Sequence, residues 1–147
     1  MIGTPRERQS TMHPLTVGDM MTTQVRTLRE DESINEADWD MVIGGFRHIP
    51  VVDRDRHVVG IVSDVDVRHR INTGQSVATT MTRDVHTVLA TTPAIEAIEY
   101  LLMAKQNALP VVDEHRTLIG IVTTTDFLEL ARRALVGLDV HKPHVRG

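Results

Sequence analysis

The stretch His48-Ile49-Pro50-Val51-Val52-Asp53, followed by Val59-Gly60-Ile61-Val62-Ser63 and Asp66, occurs twice in this chain. Sixty residues later the sequence reads Ala108-Leu109-Pro110-Val111-Val112-Asp113, then Ile119-Gly120-Ile121-Val122-Thr123 and Asp126. Working outward at the same offset, Met21-Thr22 falls on Met81-Thr82, Val25 and Thr27 on Val85 and Thr87, and Glu36-Ala37 on Glu96-Ala97. No gap is needed. A match this long at constant spacing marks an internal duplication, and each copy is one structural unit.

Both copies spell the same succession of elements. Thr16 and Ser76 are candidate caps of a short helical turn, Val17 to Met20 and Val77 to Thr80. An extended piece rich in β-branched residues follows, Val25 to Leu28 and Val85 to Val88. The pattern then predicts an amphipathic helix. In repeat 1, Ser33 and Glu36 form a capping-box pattern and Gly44-Gly45 ends it. In repeat 2, Thr92 caps, Pro93 takes the first helical position, and Ala94, Ala97, Ile98, Leu101 and Leu102 recur at helical spacing.

Two apolar strands come next, Ile49 to Val52 and Val58 to Val62, copied as Leu109 to Val112 and Leu118 to Val122. Five mostly polar residues join each pair, which suits a hairpin with a longer loop. A closing helix is expected from Ser63 to about Ile71 and from Thr123 to about Leu135. The expected fold class is therefore α+β, two tandem β-α-β-β-α repeats at 15–71 and 76–135. Residues 72–75 link them, and 1–14 and 136–147 are expected to be flexible tails.

Composition narrows the function. At 147 residues the chain can bury well over half of its unfolded surface in one compact domain. It has no cysteine, so disulfide frameworks and cysteine-based zinc sites or nucleophiles are excluded. The N-terminus shows no apolar run behind its charges, and no stretch approaches the roughly 20 apolar residues of a membrane span. The expected location is the cytoplasm. A net charge of −4, a pI near 6.0 and few aromatic residues argue against nucleic acid as partner.

The duplicated blocks resemble a pair of cystathionine-β-synthase-type (CBS) domains, the arrangement called a Bateman module, over roughly Val17 to Leu135. Pro50–Asp66 and Pro110–Asp126 carry the likeness, each combining Pro-Val-Val-Asp, Gly-Ile-Val-Ser/Thr and a final Asp. The resemblance implies a pseudo-two-fold disc with two clefts that bind adenosine-containing ligands. AMP, ADP or ATP lead, with S-adenosylmethionine or NAD behind them. It also implies a regulatory role, no required cofactor, and homodimerisation by stacking of discs.

Physical chemistry gives those residues plausible work. Where a strand runs into a helix, the first amides lack intrahelical partners and favour an anion such as phosphate. Gly60 and Gly120 would allow close backbone approach. Ser63 and Thr123 would offer hydroxyls to phosphate, and Asp66 and Asp126 would accept from ribose hydroxyls. By family analogy, adenine would lie near Ile49-Pro50 or Leu109-Pro110 and the extended pieces Val25–Thr27 and Val85–Thr87. The same Ser/Thr-x-x-Asp spacing also fits an ordinary helix cap, as at Thr16-x-x-Asp19.

The copies are unequal. Repeat 1 carries Arg47, His48, Arg68 and Arg70, where repeat 2 has Asn107, Ala108, Leu128 and Leu130. Guanidinium groups match phosphate oxygens, so these are candidate phosphate contacts, against the alternative of solvated surface charge. Asp38 replaces Ile98 on the expected apolar face, so it is buried with a partner or the helix is turned. Trp39, Ile43 and Phe46 would then form an interaction surface, with core packing as the alternative. The eight histidines form no helical metal pair, and no metal site is expected.

Without a recognisable nucleophile, phosphate loop or metal cluster, the expectation is a non-catalytic module that signals to a partner chain. A ligand-free interaction and oligomerisation scaffold is the alternative.

Overall fold

The computed structural model describes residues 14–137, so the expected tails, 1–14 and 136–147, fall outside it except for Pro14, Val136 and Gly137, and His13, His141 and His144 lie outside it too. The duplication is visible in the register. Strand β1 (His48–Val52) pairs antiparallel with β2 (Val58–Ser63), His48 opposite Ser63 and Val51 opposite Gly60. Strands β4 (Ala108–Val112) and β5 (Leu118–Thr123) repeat that pairing, with the same bulge before the last pair. Each hairpin turn is held by one aspartate: Asp53 Oδ1 accepts from the amides of Asp55 and His57, and Asp113 Oδ1 from those of His115 and Thr117.

The extended pieces pair only at their ends. Val88–Leu89 forms β3, parallel to β4, and Leu28 makes a single parallel bridge to Val51. Helix α1 (Ile34–Gly44) lies between the extended piece and the hairpin in repeat 1, and α3 (Ala94–Ala104) does so in repeat 2. Ile34, Ala37 and Met41 are buried on α1; Ala94, Ala97 and Leu101 are buried on α3. Ser33 Oγ caps α1 by accepting from the Glu36 amide, and Gly45 ends it at φ 70°. Lys105 takes that left-handed position in repeat 2 at φ 53°.

Three expectations need correction. Thr92 does not cap α3; its hydroxyl accepts from the Leu89 amide and closes the preceding turn, while Pro93 stands at the cap. The closing helix of repeat 1, α2 (Asp64–Arg68), stops short of Ile71, whereas α4 (Thr124–Leu135) runs its full length. Phe127 and Leu130 pack α4 onto its core, but Val67 alone is buried on α2, and helices this short need tertiary packing to persist. The backbone turns at Asn72 (φ 64°), whose amide donates to Asn35 Oδ1 at 2.9 Å. Asp38, finally, is neither fully buried nor turned out. It sits half-buried at the margin of α1.

The opening turns exchange places. Val17 and Met20 pack into the core of repeat 2 with Val88, Leu101, Leu109 and Val122. Val77 and Met81 pack reciprocally into the core of repeat 1 with Leu28, Met41, Ile49 and Val62. Backbone bonds fix the exchange: Val17 N–H to Thr92 O and Val77 N–H to Glu32 O, both 2.8 Å. Between the repeats, Val52, Val58, Val112 and Leu118 form one shared cluster and Ile61, Ala108 and Ile121 another. Neither half could bury these faces alone.

Candidate functional site

The exchange builds two junctions, each with residues from both repeats. At the first, β2 runs into α2 beside Thr80-Met81-Thr82, and Ile61 and Thr82 exchange backbone hydrogen bonds of 3.0 and 2.8 Å. At the second, β5 runs into α4 beside Met20-Met21-Thr22, with the same exchange between Ile121 and Thr22.

What comes close to the glycines is protein. A Cβ on Gly60 would stand 2.9 Å from Met81 Sδ and 3.0 Å from Thr82 O. One on Gly120 would stand 2.7 Å from Met21 Sδ and 3.0 Å from Thr22 O. The expected close approach is real, but it admits the crossing segment of the other repeat. The helix starts also favour phosphate less than expected. Helix α2 spans only Asp64–Arg68, too few residues for an appreciable dipole, and the cap amide before α4 is already occupied.

That occupant is Asp126. Its Oδ2 accepts from the Thr123 amide at 2.8 Å and from the Thr123 hydroxyl at 3.2 Å, and the residue is 2% exposed. Thr16 and Asp19 show the same arrangement at 2.8 and 3.2 Å. Ser63 and Asp66 do not. Ser63 Oγ accepts from the Asp66 amide at 3.2 Å, but no described group donates a hydrogen bond to the half-buried Asp66 carboxylate. Its backbone carbonyl accepts from Thr80 Oγ1 at 3.5 Å.

The charges gather at the first junction. His48 is partly buried opposite Ser63 and feels Asp64, Arg47 and Asp66. Burial is the largest influence and holds its imidazole below the ordinary value of 6.5. Arg47 is exposed, and no described residue hydrogen-bonds its guanidinium. Arg68 turns instead to Asp64 (3.3 Å) and Arg70 to Gln75 (3.3 Å). At the second junction Ala108 is fully buried, and the Asn107 carbonyl accepts from the amide and hydroxyl of Thr124.

The other expected ligand residues are less accessible. Ile49, Pro50, Leu109 and Pro110 are buried, Ile49 and Leu109 within their own cores. Val25 and Val85 pack against the shared clusters, with Thr27 and Thr87 half-buried beyond them. These residues back the walls. On α1, Trp39 and Ile43 are each 67% exposed, and Phe46, just past its end, is 38% exposed. Trp39 also lines a shallow depression with Arg26, Glu32, Asn35, Glu36 and Asp40, where Arg26 and Asp40 pair at 2.6 Å, apart from the junction residues.

One grouping of possible metal ligands lies off the helices. In the first hairpin turn, ligand atoms of Asp53, Asp55 and His57 lie within 4.8 Å of one another, a spacing legible only as Asp-x-Asp-x-His in a turn. Asp53 is already engaged there. The amide of His57, and then that of Asp55, hold its carboxyl below the usual range.

The CBS domain profile matches residues 17–73 and again 76–133, both copies of the duplication. The chain belongs to the CBS domain family. Among solved structures, the CBS domain pair of protein MJ0100, in complex with 5′-methylthioadenosine and S-adenosyl-L-methionine, is 26% identical with a TM-score of 0.78. It covers 83% of this chain and 99% of its own. CBSX2, a CBS-pair protein from Arabidopsis thaliana also solved with AMP, is 30% identical in that complex, with a TM-score of 0.73. The alignment covers 82% of this chain and 98% of that one. A curated relative, homoserine O-acetyltransferase of Methanococcoides burtonii, is 37% identical over 115 residues. Those residues make up 78% of this chain and 24% of the relative. Inosine-5′-monophosphate dehydrogenase of Methanocaldococcus jannaschii is 31% identical over 76% of this chain and 23% of its own length. The CBS pair thus spans about a quarter of the curated relatives it matches. Among the described residues no helix is long and apolar enough to cross a membrane.

Proposed function

We propose that this CBS pair is a non-catalytic regulatory module, acting in the cytoplasm, that binds an adenosine-containing ligand between its repeats and passes the bound state to a partner chain. One observation carries the reading. The Asp66 carboxylate stands with open acceptor sites beside Arg47, His48 and a segment of the other repeat. A carboxylate that accepts nothing from the described residues suits the vicinal hydroxyls of a ribose. The ligands named for MJ0100 and CBSX2 all contain adenosine.

The exchanged openings supply a mechanism. A ligand held by α2 and by Thr80–Thr82 contacts both repeats at once. It shifts the angle between them only by its difference in affinity for the two arrangements. The module associates with a second copy through its first helices. Val42 and Ile43 on α1, and Leu102 and Met103 at the matching positions of α3, are all exposed. Pseudo-symmetric apolar faces suit a two-fold contact.

Thermal unfolding with AMP, ADP, ATP, NAD, S-adenosylmethionine and 5′-methylthioadenosine tests the reading. A ligand at about 100 times its Kd stabilises by about 2.7 kcal/mol. For a domain this size that raises Tm by about 5–11 °C. A flat panel on nucleotide-free protein would instead favour a ligand-free scaffold, whose exposed helix faces are its working surface.

A further inference from the structure

We infer that nucleotide binding is confined to the first junction, so that each chain takes one ligand, with its ribose at Asp66 and its anionic end toward Arg47 and His48. This rests on the regulatory reading above and specifies which of its two junctions works.

The two junctions share backbone geometry and differ in available chemistry. A ribose diol needs an acceptor with unused lone pairs in reach. Asp66 offers a half-buried carboxylate that accepts no hydrogen bond from the described residues. Asp126 is almost wholly enclosed, and its Oδ2 serves both the amide and the hydroxyl of Thr123. Turning it toward a sugar would break the arm of the α4 capping box that Asp126 supplies and give up its bonds from the Thr123 amide and hydroxyl.

The anionic end needs a cation. Arg47 is exposed with a guanidinium uncommitted among the described residues, and the partly buried His48 beside it offers one imidazole N–H while neutral. Asp64, the nearest competitor, is engaged by Arg68. In repeat 2 the counterparts are Asn107 and Ala108, neither able to carry charge. Of the arginines that follow the crossing segments, Arg83 pairs with Glu30 at 2.9 Å and Arg26 with Asp40. Among the described residues the second junction therefore lacks both an open carboxylate at the position of Asp66 and charged counterparts of Arg47 and His48.

Calorimetric titration of the nucleotide-free chain with AMP decides the matter. One equivalent per chain is expected. Asp66→Ala should weaken AMP at least tenfold, and Asp126→Asn should leave affinity within about threefold. Arg47→Ala should weaken AMP by a similar factor but leave uncharged 5′-methylthioadenosine unchanged, which isolates the charge from the ribose contact. Two equivalents of comparable affinity would overturn the inference and leave the regulatory reading standing. So would a single site lost in Asp126→Asn and kept in Asp66→Ala. If no adenosine compound binds, both fall together. Wild-type stoichiometry stands even where a variant fails to fold.

Discussion

Repeat 1 and repeat 2 place Ser63 and Thr123 at the same point of the fold, yet close their caps differently. Thr123 and Asp126 satisfy each other from both sides, as Thr16 and Asp19 also do. Ser63 and Ser33 accept one amide each, and Asp66 gives nothing back. Threonine is β-branched and restricted at χ1, so its hydroxyl is held near one orientation. Serine is not. A duplication that looks symmetric in sequence therefore yields one aspartate that holds a helix and one that remains available.

The largest effect tests where the repeats should agree. Gly60→Val and Gly120→Val both force side-chain atoms into the crossing segment and should each destabilise by about 1–3 kcal/mol. Chemical denaturation measures both; a harmless change at either position would break the symmetric account of the exchange. The next effect tests where they should differ. Asp126→Ala removes one arm of the α4 capping box from a buried site and should lower unliganded stability by about 1–2 kcal/mol. Asp66→Ala should stay within about 0.5 kcal/mol, as surface-type changes do. Equal losses would erase the distinction.

Protonation gives a smaller, directional test. Burial lowers the folded-state pKa of His48, so below pH 6.5 the unfolded chain binds more protons there than the folded chain. That part of stability is complete above 6.5 and is lost as pH falls toward the lowered folded value. Asp64 and Asp66 oppose the shift and Arg47 reinforces it. Comparing Tm at pH 8 and pH 5 for wild type and His48→Ala, the wild type should fall further; Ala108 offers repeat 2 no such response. The smallest change sharpens the comparison most. Ser63→Thr should close the second arm of the cap, raise unliganded stability by a few tenths of a kcal/mol and weaken AMP about threefold. Unchanged affinity would show that the hydroxyl does not control Asp66.

Much of this was legible along the chain. The offset between Pro50–Asp66 and Pro110–Asp126 fixed the duplication, and the buried spacing of Ile34, Ala37 and Met41 follows from helical period. The charge asymmetry at Arg47 and His48 was also visible, though not the junction it serves. The length of α2 was missed because it depends on the lack of a packing surface beyond Val67. Nor is the role of Thr92 legible there, since its hydroxyl accepts from Leu89 behind it and caps nothing ahead.

By itself, then, the sequence determined what is local and periodic: two copies, their strands, helices and turns, and which side chains face inward. Those follow from spacing and backbone preference within a few residues. Tertiary structure decided that Val17 and Met20 complete the far repeat, and that Gly60 and Gly120 admit Met81 and Met21. It also decided that Asp66, unlike Asp126, keeps its lone pairs open. The first two depend on distances between segments far apart in the chain; the last is a rotamer choice that the Ser63/Thr123 difference biases and the packing of each junction completes.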